Sequence, residues 1–153
     1  MNHQTYTHRG DEHILRLAEE VIASRYQRGC CLTNPGDVKR YLVHKLAMQE
    51  SEVFSLLLLD SQHRLIAYQE LFQGTLDAAT VYPREVVKAC LQANSGAVIL
   101  AHNHPSGLPE PSGADRQLTE RLREALGLVD IRVLDHIVVG GVDTVSFAER
   151  GWL

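Results

Sequence analysis

Cysteine is scarce and unpatterned in this chain. Cys30, Cys31 and Cys90 are three, with no C-x-x-C among them, which argues against both a disulfide framework and a cysteine zinc site. A zinc nucleobase deaminase needs H-x-E and P-C-x-x-C, and neither occurs. No run approaches the ~18 consecutive apolar residues of a membrane span, and residues 1–10 lack the apolar centre of a secretory signal. The expectation is a cytoplasmic protein without a membrane partner. Basic charge is not in excess either: the net charge is −4 and the pI about 6.0. DNA is therefore a possible partner only through a local patch, and the overall charge does not support it. Internal repeats and low-complexity tracts are absent.

What is present suits one domain. A chain of 153 residues with 44% hydrophobic content is long enough to bury a single core. Asp11 to Arg25 carries Ile14, Leu15, Ala18, Val21 and Ile22 at helical spacing, predicting an amphipathic helix that ends near Gly29. His3 and His8 sit in a polar start and read as bystanders. Asn34-Pro35 offers an N-cap followed by proline at the first helical position, with Val38, Tyr41, Leu42 and Leu46 on one face of a helix running to about Met48.

Val53 to Leu59 is a continuous apolar run suited to a central strand, and Asp60 to His63 turns it into Leu65 to Tyr68 as a hairpin. Pro83 opens a helix carrying Val86, Val87, Ala89, Cys90 and Leu91. Cys90 reads as core. A further helix is expected over Ala114 to Leu126, ended by Gly127. Three short strands then follow: Ile131 to Leu134, His136 to Val139 and Thr144 to Phe147, the first two separated by Asp135. Strands interspersed with helices predict an α/β fold, a mixed β-sheet flanked by helices.

The chemistry concentrates in Ala101 to Asp115, AHNHPSGLPEPSGAD. The β-branched run Ala97 to Ala101 enters it as a strand, and residues i and i+2 of a strand share a face. His102 and His104 can then converge on one ion while Asn103 points away. Pro105, Gly107, Pro109 and Pro111 make a stiff loop leading to a helix at Ser112, which delivers Asp115. Two neutral imidazoles and a carboxylate suit one Zn²⁺, leaving a fourth tetrahedral position for water. In such a site the pKa of the water falls to roughly 7.

Each piece has an ordinary alternative. Ser112 to Asp115 is also a helix-capping signal, and a His-x-His pair is commonly surface or hydrogen-bonded histidine. The combination is what carries weight. With about 5% usage of each residue type, H-x-H-x7-S-x2-D arises by chance in roughly one chain of this length in a thousand.

That pattern resembles the signature of the JAMM (MPN+) metalloproteases, and the text around it is similar to their bacterial RadC-like branch. Glu52-Val53-Phe54, Glu70-Leu71-Phe72, Gly74-Thr75, Pro83 to Val86, Val129 to His136, Gly140-Gly141 and Ser146 to Glu149 share the resemblance. It covers about Asn34 to Leu153, leaving residues 1–33 as an N-terminal extension with a helix. Full-length RadC-like proteins carry a longer N-terminal region with a helix-hairpin-helix-like portion, and this chain is too short to hold all of it. Tyr82 departs from the pattern, since the family commonly shows His before Pro-Arg-Glu.

The resemblance implies the JAMM/MPN fold, similar to cytidine deaminase-like layering. It further implies metal ligation by His102, His104 and Asp115, with Ser112 donating to the oxyanion of a tetrahedral intermediate. The family's catalytic glutamate precedes an apolar strand upstream of the histidines. Glu52 fits that place; Glu50 and Glu70 are its rivals. His136, beside Asp135, is expected as a hydrogen-bonded structural histidine rather than a ligand. The implied activity is amide hydrolysis on an unidentified peptide or protein substrate. The family's association with DNA repair and recombination leaves an accessory role as the alternative, with zinc structural or its site dormant.

Overall fold

The computed structural model describes residues 8–25, 34–74 and 80–153. The polar start around His3, the expected helix end at Gly29, Cys30, Cys31 and Thr75 lie outside the described residues. Among the described residues, four helices and five strands follow one another as α1 (His8–Arg25), α2 (Pro35–Leu46), β1 (Val53–Leu59), β2 (Leu65–Gln73), α3 (Pro83–Gln92), β3 (Ala97–Asn103), α4 (Gly113–Gly127), β4 (Arg132–Gly140) and β5 (Asp143–Ser146). Among the described residues, no helix is long and apolar enough to cross a membrane.

The strands form one mixed sheet in the order β2-β1-β3-β4-β5. β1 pairs antiparallel with β2 and β3, β3 pairs parallel with β4, and β4 pairs antiparallel with β5. β1 and β3 are therefore interior, and every residue of both is buried. That is why β1, apart from Ser55, and the first five residues of β3 read as near-continuous apolar runs rather than alternating ones. The parallel step from β3 to β4 needs a crossover connection, and α4 provides it.

Alternation divides the core between two faces. Val53, Leu57, Leu59, Ala97, Ile99, Ala101, Ile137 and Val139 pack with Val38, Tyr41, Leu42 and Leu46 of α2. Phe54, Leu56, Leu58, Val98 and Leu100 pack instead with Val86, Ala89 and Cys90 of α3 and Leu118, Leu122 and Leu126 of α4. Local signals start these helices as their sequence suggests. Asn34 Oδ1 accepts from the Gly36 N–H ahead of α2, and Pro35 and Pro83 open α2 and α3. His63 turns the β1–β2 hairpin with φ +60°, helped by Asp60 Oδ1, which accepts from the Gln62 and Arg64 N–H groups.

One expectation is corrected. Asp135 does not separate two strands: Arg132–Gly140 is one strand, with a register shift between Val98 and Ile99 that leaves Leu134 unmatched. The Asp135 carboxylate is turned to use there. It accepts from the His136 and Ala148 N–H groups and from the Ser146 hydroxyl, tying β4 to the chain beyond β5. On α3, Val86, Ala89 and Cys90 are buried, Val87 packs partly against the same core, and Leu91 is exposed. In α1 the apolar stripe is mostly uncovered. Ile22 packs against the α2-side core, while Ile14, Leu15 and Val21 stay exposed.

Candidate metal centre

Strand register brings the predicted residues together. In the β1–β3 ladder Phe54 stands opposite His102, so the residue before β1, Glu52, falls beside the residue after β3, His104. Strand alternation puts His102 on the α4 face. His104 follows one residue past the strand, where its N–H donates to Val139 O of β4 at 2.8 Å. That bond holds the chain in line after the ladder has ended.

The ligand loop then folds back on β4. A side chain at Gly140 would lie 2.5 Å from Pro109 N and 2.7 Å from the Leu108 carbonyl carbon, so only glycine lets the loop approach there. The approach has a chemical result: His104 Nδ1 lies 2.9 Å from the Leu108 carbonyl oxygen. A carbonyl only accepts, so Nδ1 carries a hydrogen, and in the neutral ring Nε2 presents a lone pair.

Asp115 is aimed by the start of α4. Ser112 Oγ accepts from the Asp115 N–H at 3.1 Å, and the Asp115 carboxylate accepts from the Ser112 N–H at 2.7 Å, a complete capping box. Capping and aiming are one arrangement. The carboxylate oxygens reach within 3.3 Å of His102 Nε2 and 3.6 Å of His104 Nε2, and the two Nε2 atoms are 3.1 Å apart.

These spacings fit a metal. Two ligand atoms each about 2.0–2.1 Å from a tetrahedral zinc stand roughly 3.3 Å from one another. One ligand atom from each of His102, His104 and Asp115 lies within 4.8 Å of the others. Two imidazole nitrogens and a carboxylate facing one another form a cluster of negative potential that a cation would satisfy.

The electrostatics of these side chains agree. Burial alone would raise the Asp115 pKa, but the two imidazoles and the Ser112 N–H outweigh it and hold the carboxyl well below the usual carboxylate range. The Asp115 carboxylate raises the His104 pKa against the effect of burial, helped by the Leu108 carbonyl and the charge of Glu52. His136 is fully buried. Burial first, then the neighbouring His102, push its pKa well below the ordinary histidine value.

Glu52 and its rivals occupy different places. Glu52 is half-buried and lines a cleft of about 340 Å³ with Ser51, Gly74 and Pro105, beside the loop that follows His104. Glu50 is exposed in the bend before β1. Glu70 is exposed on β2 and accepts from the Tyr68 hydroxyl, whose ring packs against Tyr41 on the α2 side. Ser112 is exposed at the head of α4, with its hydroxyl hydrogen not taken by the capping bond. Tyr82 is exposed at the start of α3 and stands edge-on to Phe72.

Sequence reasoning missed two supports. Asn103 does point away from His102, yet it is buried. Its Oδ1 accepts from the Val53 N–H at 2.7 Å and its Nδ2 donates to Ser51 O at 3.0 Å. The two bonds bracket Glu52, clamping the backbone on either side of it. Thr119 is the other: its position four residues after Asp115 puts it on the same face of α4, where it meets His136. That spacing was a usable signal.

Comparison with known proteins follows the same outline. A RadC-like JAB domain profile matches residues 32–152. A UPF0758 protein of Vibrio cholerae serotype O1 is 63% identical over 143 residues, covering 94% of this chain and 90% of the relative. A second from the same organism is 56% identical over 153 residues, covering 100% and 94%. A UPF0758 protein of Aeromonas hydrophila is 57% identical over 140 residues, but these are 92% of this chain and 62% of that longer relative. The shared name states no activity.

Proposed function

The chain belongs to the RadC-like JAB domain family, and from that premise and the geometry above we propose that it is a zinc-dependent hydrolase of peptide or isopeptide bonds. The observation that carries this is the convergence of His102 Nε2, His104 Nε2 and the Asp115 carboxylate beside a cleft that Glu52 lines. His102, His104 and Asp115 would hold the ion. Zinc bound by three protein ligands supplies Lewis acidity and lowers the pKa of water towards neutrality.

The protein's own groups then have separate tasks. Glu52 accepts the proton of the attacking water and returns it to the leaving amine nitrogen, the work of a carboxylate acting as general base and then acid. The Asn103 clamp limits where the Glu52 backbone can stand. The Ser112 hydroxyl donates to the oxygen that gains charge as the carbonyl becomes tetrahedral. The substrate is a peptide or a protein whose extended segment enters the cleft bounded by Ser51, Gly74 and Pro105.

The test is hydrolysis of peptides and isopeptide-linked conjugates by zinc-loaded protein, with Glu52→Gln beside Glu50→Gln and Glu70→Gln. Glu52→Gln should lower the rate about 10²–10⁴-fold while zinc stays bound, and the other two should not. Full activity in Glu52→Gln would assign the base elsewhere. Salt-dependent DNA binding by zinc-loaded protein that hydrolyses none of these substrates would favour the accessory role in DNA repair instead.

A further inference from the structure

The two imidazoles of the site differ in how their hydrogens are placed. His104 Nδ1 meets a carbonyl oxygen, Leu108 O, at 2.9 Å, and its tautomer follows at once. His102 Nδ1 meets another imidazole, His136 Nε2, at 2.8 Å. Either ring can donate in that pair, so the direction must be decided further out.

The far side of His136 decides it. His136 Nδ1 lies 2.6 Å from Thr119 Oγ1, and Thr119 Oγ1 lies 2.7 Å from the backbone carbonyl of Asp115, one turn back on α4. A threonine hydroxyl has a single hydrogen and two lone pairs. Donated to the Asp115 carbonyl, that hydrogen leaves Oγ1 able only to accept from His136. His136 then places its ring hydrogen on Nδ1, and its bare Nε2 accepts from His102 Nδ1–H. His102 Nε2 is left with a lone pair facing Asp115 and His104.

We propose that Thr119 and His136 are positioning residues for the metal, relaying the direction of one hydrogen bond from the α4 backbone to His102 and so fixing the tautomer that presents Nε2 to a divalent cation. Reversing the chain would turn the Thr119 hydroxyl from the Asp115 carbonyl and put a hydrogen on the very nitrogen that faces the ligand cluster. Burial protects the direction from water: Thr119 and His102 are each 2% exposed and His136 is 0% exposed. Phe147 stacks on the His136 ring at 4.7 Å and Phe54 stands edge-on to it at 6.0 Å, which leaves the ring no other hydrogen-bonding partner on those sides. This assignment rests on the metal centre proposed above.

The experiment compares wild type, Thr119→Val and Thr119→Ser by ¹⁵N NMR of the imidazoles in metal-free protein and by titration with Zn²⁺. Wild type should show His102 and His136 both protonated on Nδ1. In Thr119→Val, which keeps the shape and removes the hydroxyl, both hydrogens should move to Nε2 and Zn²⁺ affinity should fall about 10–100-fold. His104 should keep its tautomer throughout. Thr119→Ser should restore both the tautomers and the affinity.

A folded Thr119→Val protein with wild-type tautomers and wild-type Zn²⁺ affinity would overturn the relay and leave the metal centre standing. His102 protonated on Nε2 in wild type would overturn the relay even if Thr119→Val failed to fold. Wild-type protein that binds no Zn²⁺ would overturn the metal centre, and the relay with it.

Discussion

Ala101 and His102 are neighbours on β3, both buried, and they face opposite worlds. Ala101 joins an apolar layer with Val53, Leu57, Ile137, Val139 and the inner face of α2. His102 faces α4 at the edge of an equally tight apolar layer, among the buried polar groups of His136 and Thr119 and the half-buried carboxylate of Asp115. A buried polar group without a partner is costly, and here the partners are present. Among the described residues, Ser95 Oγ is the one buried side-chain polar atom lacking a hydrogen bond, and it lies outside this cluster. The difference teaches that one face of the sheet packs an apolar layer against α2, while the other gives way beyond Leu100 to a cluster of hydrogen-bonded polar groups.

That division can be broken by mutation. On the apolar face, Leu57→Ala should destabilise the protein by about 2–5 kcal/mol, the cost of a cavity in a packed core, in denaturant unfolding. The folded mutant should keep its zinc content. Loss of zinc from folded Leu57→Ala would show that the two faces are coupled. A smaller effect is expected at Asn103, which lies at the boundary. Asn103→Ala strands the Val53 N–H in a buried place and should cost about 1–3 kcal/mol. It should also lower the hydrolytic rate by freeing the backbone around Glu52, with zinc stoichiometry unchanged. An unaltered rate there would sever Asn103 from the positioning of Glu52.

The parts of the fold legible in the sequence are those with local causes. Interior strands β1 and β3 announce themselves as near-continuous apolar runs, and Asn34-Pro35 and Ser112 to Asp115 mark helix starts by their own hydrogen bonds. Asp135 misled because a charged residue within a strand reads as a break. Only the fold brings Ser146 and the Ala148 N–H to its carboxylate. In α1 the stripe was legible, but helical spacing does not say what covers it.

The candidate site divides the same way. His102, His104, Ser112 and Asp115 lie within fourteen residues or fewer of Ala101, so spacing alone relates them. Glu52 required resemblance to a family, since a glutamate before a strand has no local signature. Thr119 was reachable through its spacing from Asp115. His136 was weighed and read as a hydrogen-bonded residue, and the structure does place it in hydrogen bonds. What no spacing could tell is that its partner would be His102, because the parallel pairing of β3 with β4 makes that contact.

The central claim is that three side chains form a metal centre, and elemental analysis of purified protein tests it most directly, beside a His102→Ala, His104→Ala double mutant shown to be folded. About one zinc per chain in wild type, lost in the double mutant, is the predicted result. No metal in either protein, even after zinc is supplied, would contradict it.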